Sequence, residues 1–349
     1  MPKAGERAYV YAKACGIIGK SFIGKRISAL NPITRLSELD RLLFAQHARE
    51  LPERELLADL EKRIIQRGVE RIIAVVSSFS KPPELLRLLI RSYEYSDLKG
   101  ALSALAGGET KAPSFTNLGS FGTVHFEAWP DLKAMLRGTE FDFILNENLV
   151  SGKEEDSIIL QTRLDQVYYS SLWKALFALP KSDRTEIQKI LAEEISLRNV
   201  VWALRLRTYY GMSPEEVQKR LVFLDLRGGE SRGDSKKRHS SLADDALASL
   251  SMALDTRSDW VKWRRVGLLN GGSYGEPWNA DPRYFQNAAS DHLYHMARLS
   301  FRRRPFSIDT AACFIKLKQF EEDLLTSVAE GLGLGMSARD VFGVLELEP

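Results

Sequence analysis

The chain has 349 residues, of which 44% are hydrophobic and 27% charged, with a formal net charge of +3. That length accommodates two or three domains with cores of their own, and the near-balance of charge gives no global pull toward nucleic acid or anionic lipid. Cys15 and Cys313 form neither a metal spacing nor a disulfide framework, no apolar run approaches the roughly 20 residues of a membrane helix, and charges stand where a signal peptide is apolar. A soluble chain from a reducing compartment is expected.

In chain order, residues 8–31 read as an amphipathic helix weakened by Gly16, Gly19 and Gly24. Residues 36–67 are helical in texture, and 56–79 is predicted as helix although RIIAVVSS within it has strand-like composition. Pro82 and Pro83 open a further helix that carries Leu85, Leu86, Leu88, Leu89 and Tyr93 and ends at Gly107-Gly108. Residues 109–130 are loop-rich, DLKAMLRG is a short helix, and FDFILNENL is ambiguous. A helix from Ile158 to Phe177 stops at Pro180, and a second leads through residues 183–210. Residues 227–241 lack apolar side chains and read as a flexible loop. A helix is predicted from Leu242 through the tryptophans to Val266, then an irregular insertion over 267–283, a helix into Phe301, a basic turn at Arg302-Arg303-Arg304-Pro305, and the final helices.

The best-punctuated stretch is 193–222. Ile195, Val200, Val201, Leu204 and Leu206 mark a helix face, and Gly211 is placed to take the left-handed conformation that closes it. Ser213, Pro214 and Glu216 form a capping box for a following helix with Val217, Leu221 and Val222. The phrase returns over 323–341: Gly211-Met212-Ser213 matches Gly335-Met336-Ser337, Val217 matches Val341, and Asn199 aligns with Asp323. There Asp340 supplies a shorter, weaker box to Ser337. Asp165 and Tyr168 likewise match Asp291 and Tyr294, and a more worn copy sets Asp97 against Asn199. Internal repetition of this length points to three helical units, 1–112, 113–226 and 227–349. Asn199 and Asp323, in apolar surroundings, read as buried and hydrogen-bonded between helices of one repeat, the alternative being an inward-facing position in contact with a partner.

On these residues the chain resembles a known family. YVYAKACGIIGKSFIG, ISLRNVVWALRLRTYYGMSPEEV and FIKLKQFEEDLLTSVAEGLGLGMSARDV, in this order and spacing, resemble the central-stalk component of vacuolar and archaeal-type rotary ATPases, the d-type subunit in the first and the C-type subunit in the second. Gln319 and Asp323 depart from the Glu and Asn usual in the family's closing helix. The resemblance implies an all-α fold with three similar domains around a pseudo-threefold axis, shaped as a funnel. It also implies a non-catalytic part that passes torque between a cytoplasmic shaft and a membrane rotor. The implied partners are the proteolipid ring, the D- and F-type shaft subunits and the rest of the complex, with peripheral attachment, no membrane insertion, no nucleic acid and no cofactor.

Rival patterns are weaker. Ala14-Cys-Gly-Ile-Ile-Gly19-Lys20-Ser21 satisfies a loose phosphate-loop pattern, with Leu221–Asp225 as its acidic strand, and would make the chain a P-loop NTPase. It lacks a convincing strand before the loop and any alternating strand–helix order. Gly331, Gly333 and Gly335 read as helix-unwinding residues before Ser337 rather than a phosphate cradle. His292 and His295 form a metal-like pair with only Asp291 as a third candidate, so no metal site is assigned. Arg302, Arg303 and Arg304, with Lys262, Arg264 and Arg265, are the main basic clusters: with Trp260, Trp263 and Phe301 nearby they could be read as a nucleic-acid surface, more plainly as a solvated helix end, and between the two as candidates for contact with an acidic partner. A helical-repeat adaptor for another client is the remaining alternative.

Overall fold

Apolar residues at helical spacing, interrupted by glycine and proline, account for the elements of the computed structural model, which describes residues 3–147, 154–226, 241–271 and 277–345. The fold is all-α. In order, α1 is Ala4–Ile18, α2 Leu36–Phe44, α3 Glu53–Val76, α4 Glu84–Ala106, α5 Leu132–Leu136, α6 Phe143–Glu147, α7 Glu154–Phe177 and α8 Thr185–Tyr210. There follow α9 Pro214–Gln218, α10 Asp244–Ser249, α11 Arg257–Trp260, α12 Pro282–Phe301, α13 Ile308–Gly333 and α14 Ala338–Val344. Among the described residues the only strand-like pairing is an isolated antiparallel bridge between Asp225 and Ser241.

Two compact units are built from these helices. One comprises Met1–Asp97, Ser114–Thr123 and Ala297–Pro349; the other comprises Leu98–Pro113 and Val124–Met296. In the first, Leu56, Leu60 and Ile64 of α3 share a core with Leu36, Leu39 and Leu43 of α2 and with Leu324, Leu325, Val328 and Leu332 of α13. In the second, Leu197, Val200, Val201 and Leu204 of α8 pack with Val217, Trp260, Trp263, Phe285 and Ala289. Each fully buried leucine, isoleucine or valine contributes about 1.5–3 kcal/mol, so these faces hold the helices together far more than helix propensity does.

Several elements differ from the sequence expectation. The first helix stops at Ile18, and a 3-10 turn, Gly24–Leu30, replaces its second half, because Gly19 ends the α-helical ladder. RIIAVVSS, by contrast, is helical as expected and belongs to α3 up to Val76: Ile72, Val75 and Val76 lie on the buried face that begins at Leu56. The helix predicted over 242–266 is broken into α10, α11 and turns. Trp260 and Trp263 turn inward and give their indole N–H groups to the carbonyls of Ala253 (2.7 Å) and Asp245 (3.0 Å), a geometry one straight helix does not provide. Gly331 and Gly333 do not unwind α13 but lie in its last turn. A Cβ on Gly331 would stand 2.2 Å from Val341 Cγ2, so the glycine is there to admit α14. The polar loop expected at 227–241 lies, except for Ser241, outside the described residues.

Candidate functional site

The capped helix pair is the structural module on which the candidate residues sit. In α8–α9, Gly211 takes φ +60° and the Met212 N–H returns to the Leu206 carbonyl at 3.1 Å. Ser213 then caps α9: the Glu216 N–H donates to Ser213 Oγ at 3.3 Å, and the Ser213 N–H donates to Glu216 Oε2 at 2.9 Å. In α13–α14, Gly335 takes φ +83° and the Met336 N–H reaches the Gly331 carbonyl at 2.9 Å. Ser337 and Asp340 close the same reciprocal box at 2.8 and 3.2 Å, the shorter side chain notwithstanding. Left-handed closure suits glycine because a Cβ would crowd the following carbonyl.

The polar position twelve residues before each glycine behaves differently in the two copies. Asn199, with no exposed surface, works as a clamp. Its Oδ1 accepts the Val222 N–H at 2.8 Å, and its Nδ2 donates to the carbonyls of Val222 (2.9 Å) and Leu242 (3.2 Å). By taking both backbone groups of Val222 it draws the chain out of helical geometry. That is why α9 ends at Gln218 and Leu221–Asp225 does not continue it as the sequence predicts. Asp97 clamps the backbone in a similar way. Its carboxylate accepts the Thr116 N–H at 2.6 Å and the Thr116 hydroxyl at 3.3 Å. Burial, only partly offset by Thr116, pushes its pKa up to about 6. Asp323, by contrast, is exposed, which corrects the expectation that it is buried; the buried acids of α13 are its neighbours Glu321 and Glu322.

The sequence reading missed those acids. Lys318 and Glu321, both buried, are ion-paired on α13, and Glu321 Oε1 also accepts the Phe22 N–H at 2.7 Å. Burial opposes the charge on Glu321, but Lys318 and the Phe22 amide outweigh it and hold the carboxyl below its usual range. Glu322 lies over Gly68 of α3, where a Cβ would come 1.8 Å from Oε1, and accepts the Tyr93 hydroxyl. Its burial pushes the pKa up to about 8. Arg67 and Arg71 join these groups around a cavity of about 20 Å³, room for about one water. The signal in the sequence was a lysine and two glutamates on the apolar face of α13, at the spacing of Leu317, Leu324 and Leu325.

The second unit has its own buried charge set. Asp165 of α7 is paired with Lys99, accepts the Trp202 indole N–H at 2.8 Å and stands 3.6 Å from Arg198 Nε. Burial works against its charge, but these cations and the indole keep the carboxyl below its usual range. Arg265 Nε bonds Asp245 at 2.7 Å while its Nη2 reaches Glu193 at 2.9 Å. His292 joins this network through Glu193 at 3.0 Å, whereas His295 Nδ1 contacts the Asp291 carbonyl at 3.0 Å. The two histidines thus serve different partners, and among the described residues no group of three or more His, Cys, Asp or Glu is arranged to hold a metal.

Other candidates are placed as follows. Ala14–Ile18 is the last turn of α1, and Ser21 is buried with its hydroxyl bonded to the Ile17 carbonyl at 3.2 Å. No strand precedes it, so the phosphate-loop geometry is absent there. Arg302 and Arg303 are exposed and Arg304 is half-buried, but Trp260, Trp263 and Phe301 are core residues and do not line a basic nucleic-acid surface.

Capped helix pairs, buried ion sets and polar side chains that position backbone together define a helical scaffold. A family model described as ATP synthase (C/AC39) subunit matches residues 44–341. A protein of Treponema pallidum (strain Nichols), itself described as uncharacterized, is 29% identical over 331 residues, which cover 95% of this chain and 93% of that one. The chain belongs to the ATP synthase C/AC39 subunit family. No helix among the described residues is long and apolar enough to cross a membrane.

Proposed function

We propose that the chain is the central-stalk subunit of a V/A-type ATPase, a non-catalytic part that couples the cytoplasmic shaft to the membrane proteolipid ring. The observation that carries this reading is the family match over residues 44–341, most of the chain. Its physical suitability lies in stiffness: close-packed helices transmit strain with little deformation, and in α8–α9 and α13–α14 the αL glycine fixes where one helix stops and the capping box where the next starts.

The proposal includes three helical repeats, 1–112, 113–226 and 227–349, arranged around a pseudo-threefold axis. The similar backbone clamps made by Asp97 on Thr116 and Asn199 on Val222 support a common ancestry for the first two. The proposed partners are the ring, the D- and F-type shaft subunits and the remaining ATPase subunits, on the cytoplasmic side of the membrane. The purified chain is expected to hydrolyse no ATP. Hydrolysis that disappears in a Lys20→Ala variant would instead establish a nucleotide site at Ala14–Ser21.

A further inference from the structure

The repeat supplies an internal control for the turn between the long helices. Phe177 ends α7 and Phe301 ends α12, and each is followed by a turn into the next long helix. In the first turn, Arg184 faces inward: Nη1 donates to the carbonyls of Phe177 (2.8 Å) and Leu179 (2.9 Å), and the guanidinium lies 4.4 Å from the Phe177 ring centroid. Its cation completes the helix end.

The second turn points its side chains outward. Arg302 and Arg303 are exposed, and Phe306, at 51% exposure, adopts φ +64°, a left-handed conformation that non-glycine residues rarely enter. The turn is nevertheless well held. Ser307 and Thr310 hydroxyls donate to the Arg304 carbonyl at 2.6 and 2.8 Å, and Tyr11 meets the Phe306 ring edge-on at 5.3 Å. A rare backbone conformation held in place to present an aromatic ring to solvent is the kind of feature found at functional sites.

Folding also concentrates charge here. Residues 13–35 contain five basic residues and no acidic one, and residues 297–308 contain four arginines and no acidic one, in a chain whose net charge is only +3. The two stretches meet: the Arg298 guanidinium stands 3.2 Å from where a Cβ on Gly24 would be, beside exposed Lys25 and Arg26. Arg298 stands in the last turn of α12 and Arg302 directly follows the helix, with Leu299, 63% exposed, between them in the chain.

We propose that Lys25, Arg26, Arg298, Arg302 and Arg303, with Phe306 as apolar anchor, form a docking face for an acidic, carboxylate-bearing protein surface. Arginine forks match carboxylates in geometry, and a pre-positioned aromatic flanked by arginine is the composition of a protein interface centre. A fluid lipid surface requires no fixed ring. The stalk reading enters only in naming the partner as a subunit of the ATPase.

The test places photoreactive benzoylphenylalanine at position 306 in the full chain, irradiates it in native membranes and identifies the adducts by mass spectrometry. The expected result is an adduct on a protein segment with an excess of Asp and Glu in an ATPase subunit. Its yield should fall on the order of tenfold in R302E/R303E and fall also in high salt. If R302E/R303E misfolds, R302Q/R303Q is read in the same way, with a smaller loss. An adduct on phospholipid, on a basic or neutral segment, or one whose yield ignores these substitutions overturns the docking face and leaves the stalk reading standing. An acidic adduct that belongs to no ATPase subunit supports the face and removes the stalk reading.

Discussion

Arg198 of α8 and Glu322 of α13 each stand thirteen residues before a helix-closing glycine, Gly211 and Gly335, but one is a base and the other an acid. In the second unit the cation is 3.6 Å from buried Asp165, which Lys99 and Trp202 also engage, so the acid stands among charges of opposite sign. In the first unit Lys318 is committed to Glu321, and Glu322 is left with Tyr93 and a pKa of about 8. One scaffold therefore tolerates either a compensated ion set or a neutralised acid. Backbone punctuation is preserved in both copies, while the charge chemistry on the buried face is free to change.

The largest expected break between the two copies is in pH dependence. Glu322 retains its proton in the fold at pH values where an unfolded glutamate, with its ordinary value of 4.5, has lost it. Its contribution is complete below about pH 4.5 and declines as pH rises to about 8, on the order of several kcal/mol by linkage. Urea unfolding at pH 5, 7 and 9 should show this slope, and Glu322→Gln should remove most of it. Asp97, raised to about 6, adds a smaller slope of the same sign between about pH 4 and 6, absent in Asp97→Asn.

The clamp position sharpens the comparison next. Asn199→Ala leaves the backbone groups of Val222 and the Leu242 carbonyl without their partner in the interior, and should destabilise by about 2–4 kcal/mol in denaturant melts. Asp323→Ala, at the equivalent but exposed position, should stay within about 0.5 kcal/mol. Equal effects would mean that the two modules are held alike.

The α13–α14 contact gives the third effect. Gly331→Ala drives a methyl into Val341 and should cost about 1–3 kcal/mol, measured as a lower thermal midpoint. The smallest difference is expected at the caps: Ser213→Ala and Ser337→Ala should each cost about 1 kcal/mol, and a much smaller loss at Ser337 would show that Asp340 makes a poorer box than Glu216.

What was legible in the sequence was local. Gly211, Ser213, Pro214 and Glu216 act within a few residues of one another, so their roles follow from spacing, as do those of Gly335 and Ser337. Individual helices were legible from apolar spacing, and the all-α fold was what the family resemblance implied. What was not legible depended on distant partners. Asn199 ends α9 by reaching Val222, 23 residues on, and the 242–266 segment folds back on itself so that Trp260 and Trp263 give their N–H groups to carbonyls 7 and 18 residues earlier. The exposure of Asp323 beside buried Glu322 is a matter of helix rotation against α3, which a run of three acids does not specify. Likewise Gly331 is a contact residue only because Val341 folds back upon it.

The central claim, that the chain is a passive coupling part of a rotary ATPase, is tested most directly by affinity purification of the tagged full-length chain from detergent-solubilised native membranes, with ATP hydrolysis measured on the chain purified alone. The account predicts stoichiometric recovery of the proteolipid-ring and shaft subunits and no hydrolysis by the isolated chain. Recovery without any ATPase subunit, or hydrolysis by the chain itself that Lys20→Ala abolishes, would contradict it.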